Sequence, residues 1–161
     1  MAKKRILFFL PPSVGGAERI TITIAKILPK DEYVCHFVIV GRDKGEIINF
    51  IPECNSIDFI KIYNIWCFSI PRIYKCIKKI KPYAVFCSLM YLNVRVAIAG
   101  YLAGIKIVLR NCNYMSTIRW DQKILCKLTY SLADVIVSQQ EEMRDDIIKE
   151  LSISKERIKI L

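Results

Sequence analysis

Three short stretches hold the residues best suited to chemistry. The first is Pro11–Arg19, Pro-Pro-Ser-Val-Gly-Gly-Ala-Glu-Arg. Adjacent glycines at 15 and 16 let the chain turn tightly and let a ligand approach the backbone closely. A strand entering such a turn and a helix leaving it would aim free N–H groups and the positive end of the helix dipole at an anion. The second stretch supplies Ser88, Tyr91 and Asn93, and the third Arg110, Asn111 and Asn113. Hydroxyls and amides match the hydroxyls of a sugar, and guanidinium groups match phosphate oxygens as a planar fork. The combined set suits a polyhydroxylated ligand that carries phosphate.

Each residue also has a purely local reading. Glu18 favours a helix dipole, Asn93 can pack or cap, and Asn111 and Asn113 can make turns. The convergence of the group on one edge carries the functional reading. The stretch matches neither the Gly-x-Gly-x-x-Gly nor the Gly-Lys-Ser/Thr fingerprint. No triad, carboxylate pair or metal-ligand cluster is visible, so no catalytic side chain and no metal site is assigned.

The elements that must position these residues follow from hydrophobic period. Lys4–Leu10 reads as a strand with a continuous apolar run, which suits a sheet covered on both faces. Ala17–Leu28 has apolar residues at helical spacing and is closed by Pro29. Further strands are expected at Tyr33–Val40, Ser56–Tyr63, Tyr83–Ser88, Ile105–Arg110, Asp134–Ser138 and Arg157–Leu161. Helices are expected at Ser69–Lys81, Tyr91–Leu102, Ile118–Leu132 and Gln140–Leu151, with a short one from Asp43 or Lys44 through Ile51. Pro71 falls in the first turn of the Ser69–Lys81 helix, where proline is tolerated. The alternation predicts an α/β Rossmann-like open sheet of about seven mostly parallel strands with helices on both faces. Right-handed crossovers then bring the loops that hold Gly15, Ser88 and Arg110 to one rim.

The chain has 161 residues, 53% of them apolar, which suits one domain with a large core. No apolar run reaches the ~20 residues that span a bilayer. Seven cysteines are scattered without a Cys-x-x-Cys pair, and His36 is the single histidine. That usage points to reduced thiols and a cytoplasmic location. A net charge of +10 favours anionic partners. The basic residues do not interleave with aromatics in a recognisable motif, which argues against nucleic acid. The basic helix Ser69–Lys81, and Ile118–Leu132 with Trp120, could lie on an anionic membrane surface, although a lysine face is more often simply solvated.

The residues also carry a resemblance. Val14–Arg19 followed by an apolar helix resembles the Gly-Gly-Ala-Glu loop of family-four retaining glycosyltransferases with the GT-B fold. Phe86–Asn93 is similar to the end of their fourth strand, and Leu109-Arg110-Asn111 to the Glu-Arg-Asn variant of the fifth, where other members place a histidine. Val135–Met143 and Lys155–Leu161 resemble later segments of the same domain, in order and over nearly the whole chain.

The resemblance implies two Rossmann-like domains facing a cleft. This chain resembles the N-terminal, acceptor-side domain, with the donor-binding domain outside it. It implies that Gly15 and Gly16 approach the donor phosphates, and that Glu18, Arg19, Ser88, Asn93, Arg110 and Asn111 line the acceptor side. The nucleotide-sugar would be a substrate rather than a cofactor, the acceptor a glycan or lipid-linked sugar in polysaccharide or glycolipid assembly, and no metal is expected. A stand-alone phosphosugar- or nucleotide-binding α/β module without catalysis is the competing reading.

Overall fold

The computed structural model describes residues 2–52, 56–61 and 66–161, without the side chains of 66–68. The expected end of the third strand at Tyr63, and the thiols of Cys54 and Cys67, lie outside the described residues. Seven strands form one parallel sheet: β1 Lys4–Leu10, β2 Tyr33–Gly41, β3 Ser56–Lys61, β4 Ala84–Cys87, β5 Lys106–Arg110, β6 Val135–Ser138 and β7 Ile158–Ile160. Five α-helices connect them: α1 Gly16–Ile27, α2 Trp66–Ile80, α3 Met90–Ala103, α4 Trp120–Tyr130 and α5 Glu141–Leu151. The expected short helix after β2 is a 3-10 turn, Glu46–Phe50.

The strand order is β3-β2-β1-β4-β5-β6-β7. The chain winds outward from β1 to β3, crosses back, and winds outward the other way from β4. The order therefore reverses between β1 and β4, and a crevice opens above their carboxyl ends, where ligands of such sheets bind.

Period-2 alternation splits the core in two. Leu7 and Phe9 of β1 face a large cluster with Ile73 and Ile77 of α2, Val96 of α3, Tyr130 of α4 and Ile147 of α5. Phe8 and Leu10 face Ile22 of α1 and Ile47. Phe8 is in register with Phe37 of β2 and Phe86 of β4. Its ring centroid lies 5.4 Å from each of theirs, which sets β1 firmly at the centre of the sheet. Among the described residues, α2–α5 cover one face, whereas α1 and the 3-10 turn cover the other only over β1–β3 and part of β4.

Helix ends follow local chemistry. Leu28, before Pro29, is extended and ends α1. Gly104 takes the left-handed conformation (φ 69°) and closes α3. The sequence reading places the start of α2 at Ser69, but the helix begins at Trp66, which puts Pro71 inside it. The stripe Ser69, Ile73, Ile77 and Ile80 is buried, and that packing outweighs the missing proline N–H. Lys81 leaves the helix with φ 51°.

Candidate functional site

Gly15 precedes α1 in extended conformation, and no side chain caps the helix. The carbonyl of Gly15 accepts the Arg19 N–H at 3.1 Å. The first N–H groups of α1 are thus left for solvent or a ligand, at the positive end of the dipole. A Cβ on Gly16 would meet nothing within 4 Å, so the backbone there faces open space. Gly15 differs. A Cβ on it would lie 2.7 Å from Oε2 of Glu18, because the Glu18 carboxylate folds back over the turn.

The loop that presents this turn is held from the β2 side. A Cβ on Gly41 would come within 2.1 Å of Pro12 Cγ, and one on Gly45 within 2.2 Å of the Pro12 carbonyl oxygen. Gly45 also has φ 58°, and the Ile47 N–H donates to that same carbonyl at 3.2 Å. Only glycine fits at either place, and the two turns interlock through Pro12.

Behind the turn, the carboxyl ends of β4 and β5 form a buried polar cluster. Ser88 shares a hydrogen bond of 2.6 Å with Thr21 of α1, which ties β4 to the helix. The Cys112 thiol donates to the Ser88 carbonyl at 3.1 Å and accepts from Nη1 of Arg110 at 3.0 Å. Burial pushes the Cys112 thiol up, the Arg110 guanidinium and a Gln139 hydrogen bond oppose this, and the Glu18 carboxylate adds to the rise. Arg110 is fully buried, and its Nε and Nη2 have no partner among the described residues. The cluster therefore holds a buried cation with donors to spare and, nearby, the buried carboxylate of Glu18.

Asn93 and Asn111 are fastened inside. Nδ2 of Asn93 donates to the Arg110 carbonyl and to the Tyr130 hydroxyl, each at 3.0 Å. Burial pushes the Tyr130 phenol up, and the Asn93 bond opposes that. Nδ2 of Asn111 donates to the Asn113 carbonyl at 2.6 Å, and its backbone N–H to Val137 of β6 at 2.8 Å. The side-chain oxygens of both asparagines are buried without a partner. Arg19 stands apart from this group: it is exposed, and its guanidinium carbon lies 5.3 Å from the centroid of the Phe50 ring.

Of the eight residues singled out from the sequence, the structure brings Gly15, Glu18, Ser88, Asn93, Arg110 and Asn111 to one rim, with Gly16 at its open edge. Thr21 and Cys112 join the cluster without having been singled out. Thr21 lies four residues after Ala17, on the same helix face, and that spacing was the available signal. Cys112, between two asparagines, looked like one scattered thiol among seven.

The well-formed hollows lie elsewhere. One of about 500 Å³ sits at the amino ends of β1 and β2, lined by Lys3, Lys26, Lys30 and Tyr33. Another of about 440 Å³ lies on the sheet face beside α1, lined by Phe8, Phe86 and Val108. Neither is lined by the rim residues. The rim is an open half-site with no opposing wall among the described residues.

Similarity to solved structures bears on this arrangement. The chain superposes on the lipopolysaccharide outer core galactosyltransferase WaaB in its apo form with a TM-score of 0.68 and 17% identity, over 97% of this chain and 44% of that one. It is also similar to HepE (Alr3699) of Anabaena in complex with UDP and glucose, at TM-score 0.76 and 16% identity, over 98% of this chain and 44% of that one. A third neighbour is the UDP-GlcNAc 2-epimerase of Methanocaldococcus jannaschii, at TM-score 0.74 and 14% identity, over 97% and 45%. The fold is the Rossmann-like open sheet of the GT-B type. At these identities the likeness shows the fold alone, and the chain spans less than half the length of the three. No protein-family model matches the chain. No curated protein matches it either.

Proposed function

We propose that this chain is the acceptor-side half of a glycosyltransferase that moves a hexosyl group from a nucleotide-sugar to a glycan or lipid-linked acceptor, with the donor-binding half in a further domain. The observation that carries the reading is the uncapped N-terminus of α1 at the point where strand order reverses, with open space over Gly16 and a buried, under-partnered Arg110 beside it. In open parallel sheets this is where a ligand phosphate fits. The motif resemblance to family-four retaining enzymes and the fold shared with WaaB support the transferase reading. UDP in the HepE structure supports a nucleotide-sugar partner.

In this reading the backbone at Gly15 and Gly16 approaches the donor diphosphate. Helix-terminal N–H groups are already oriented there, so negative charge developing on the leaving phosphate meets a prearranged dipole without a metal. Glu18, Ser88, Arg110 and Asn111 form the floor of the acceptor side. Asn93 holds the Arg110 backbone in place, and Arg19 sits at the outer edge. The matched hydroxyl and amide groups select a sugar, and Arg110 selects an anionic group on it.

The test is an amide-resolved NMR titration of the 161-residue chain with UDP, UDP-glucose and UDP-N-acetylglucosamine. Weak binding that shifts the amides of Gly15, Gly16 and Ala17 supports the reading. Binding that leaves those amides unmoved contradicts it. Tight binding by this chain alone would favour the stand-alone module.

A further inference from the structure

A second surface, away from the rim, has an unusual composition. α4 buries Cys126, Thr129 and Tyr130 against the core. At about 100° per residue, Trp120, Ile124 and Leu128 fall on the opposite pole of that helix. They are 75%, 53% and 64% exposed. A surface helix normally carries polar side chains there, so α4 is amphipathic in the wrong sense for a free surface. α3 packs beside it and adds Tyr101 and Leu102, each 62% exposed. Single exposed apolar residues are ordinary, whereas a row of three beside two more is a patch with a partner.

The charges around the patch name the kind of partner. α3 contains no acidic residue. The single acid of α4 is Asp121, and Arg119 holds it at 3.2 Å. Lys127 is exposed on the flank of the row. On the far side of α3, in the same helix layer, α2 presents exposed Arg72, Lys75, Lys78 and Lys79. Two copies meeting on this face would bring like charges together in a protein of net charge +10. An anionic bilayer surface instead matches both features: apolar side chains and a tryptophan enter the interface, and the basic flank meets the head groups.

We propose that the outer pole of α4, with the end of α3, docks the protein on anionic lipid. The inference goes beyond the nucleotide-sugar reading and stands or falls without it. The experiment is cosedimentation of the chain with phosphatidylglycerol-containing vesicles and with pure phosphatidylcholine vesicles. Tryptophan emission is read in a Trp66→Phe background that leaves Trp120 as reporter. The expected result is binding to the anionic vesicles, a blue shift of Trp120 emission, and quenching by brominated lipid. The double variant Ile124→Ser with Leu128→Ser changes only exposed positions, so circular dichroism should show an intact fold, and its partitioning should fall about tenfold. Failure to bind at low salt would overturn the proposal. So would binding with unshifted Trp120 emission, which would mean attachment through α2 alone. A concentration-dependent dimer abolished by the double variant would assign the patch to a second copy and would equally overturn it. UDP binding is read in a separate titration, so its failure is distinguishable.

Discussion

Replacing Asn93 with alanine should destabilise the domain by about 2–3 kcal/mol. Its amide nitrogen makes two buried hydrogen bonds of 3.0 Å, to the Arg110 carbonyl on β5 and to the Tyr130 hydroxyl on α4. Each contributes roughly 0.5–1.5 kcal/mol net, and deletion leaves two buried oxygens short of a donor. The cost is reduced because Oδ1 of Asn93 is itself buried without a partner, so removing it relieves one desolvated acceptor. Against a total stability of about 5–15 kcal/mol the loss is large and easily read in urea unfolding. Tyr130→Phe should cost roughly 1 kcal/mol. The two changes should be non-additive, with a coupling of about 0.5–1.5 kcal/mol in a double-mutant cycle. An Asn93→Ala loss under about 0.5 kcal/mol would refute the bracing role. It would mean that the side chain is free to serve a ligand.

Further outcomes follow from other positions. Gly45→Ala should lower stability by roughly 2–3 kcal/mol in urea unfolding, since φ is 58° and the new methyl would strike the Pro12 carbonyl. Gly16→Ala should leave stability within about 0.5 kcal/mol while weakening UDP binding in the NMR titration, because its methyl would occupy only open space at the phosphate position. Arg110→Met should raise the urea midpoint, by about 1–3 kcal/mol of stability, because it removes a buried cation with two unpartnered donor atoms. A fall would show that the guanidinium is paired. Stability should fall between about pH 9 and 11 in pH-resolved unfolding. Burial raises the thiols of Cys76 and Cys126 from 9.0 to about 11 and that of Cys87 to about 12. Above pH 9 the unfolded chain releases protons that the folded chain keeps, so the stabilisation present at lower pH is lost as pH rises.

The fold was legible because period and punctuation agreed along the chain. All seven strands and the five helices were marked by apolar period, proline and glycine. The start of α2 was displaced because a local proline rule favoured Ser69, whereas packing of a buried stripe extends the helix back to Trp66. The glycine turn was legible as a backbone feature. What Gly41 and Gly45 do was not, because their partner Pro12 is some thirty residues away and the constraint is steric and tertiary. Ser88 and Arg110 stood out by type, but their neighbours Thr21 and Cys112 did not. Hydrogen bonds between the ends of different strands leave no spacing in the sequence. Asn93 stood out as a ligand group, and the structure shows its amide nitrogen turned inward to a carbonyl and a phenol.

The central claim is that the turn before α1 receives a nucleotide-sugar phosphate. The most direct measurement is the change in backbone amide shifts when UDP is added to this chain. The account predicts saturable, millimolar movement of Gly15, Gly16 and Ala17, absent with uridine and lost in Gly16→Ala. Unmoved amides at these three positions, or equal shifts with uridine, would contradict it.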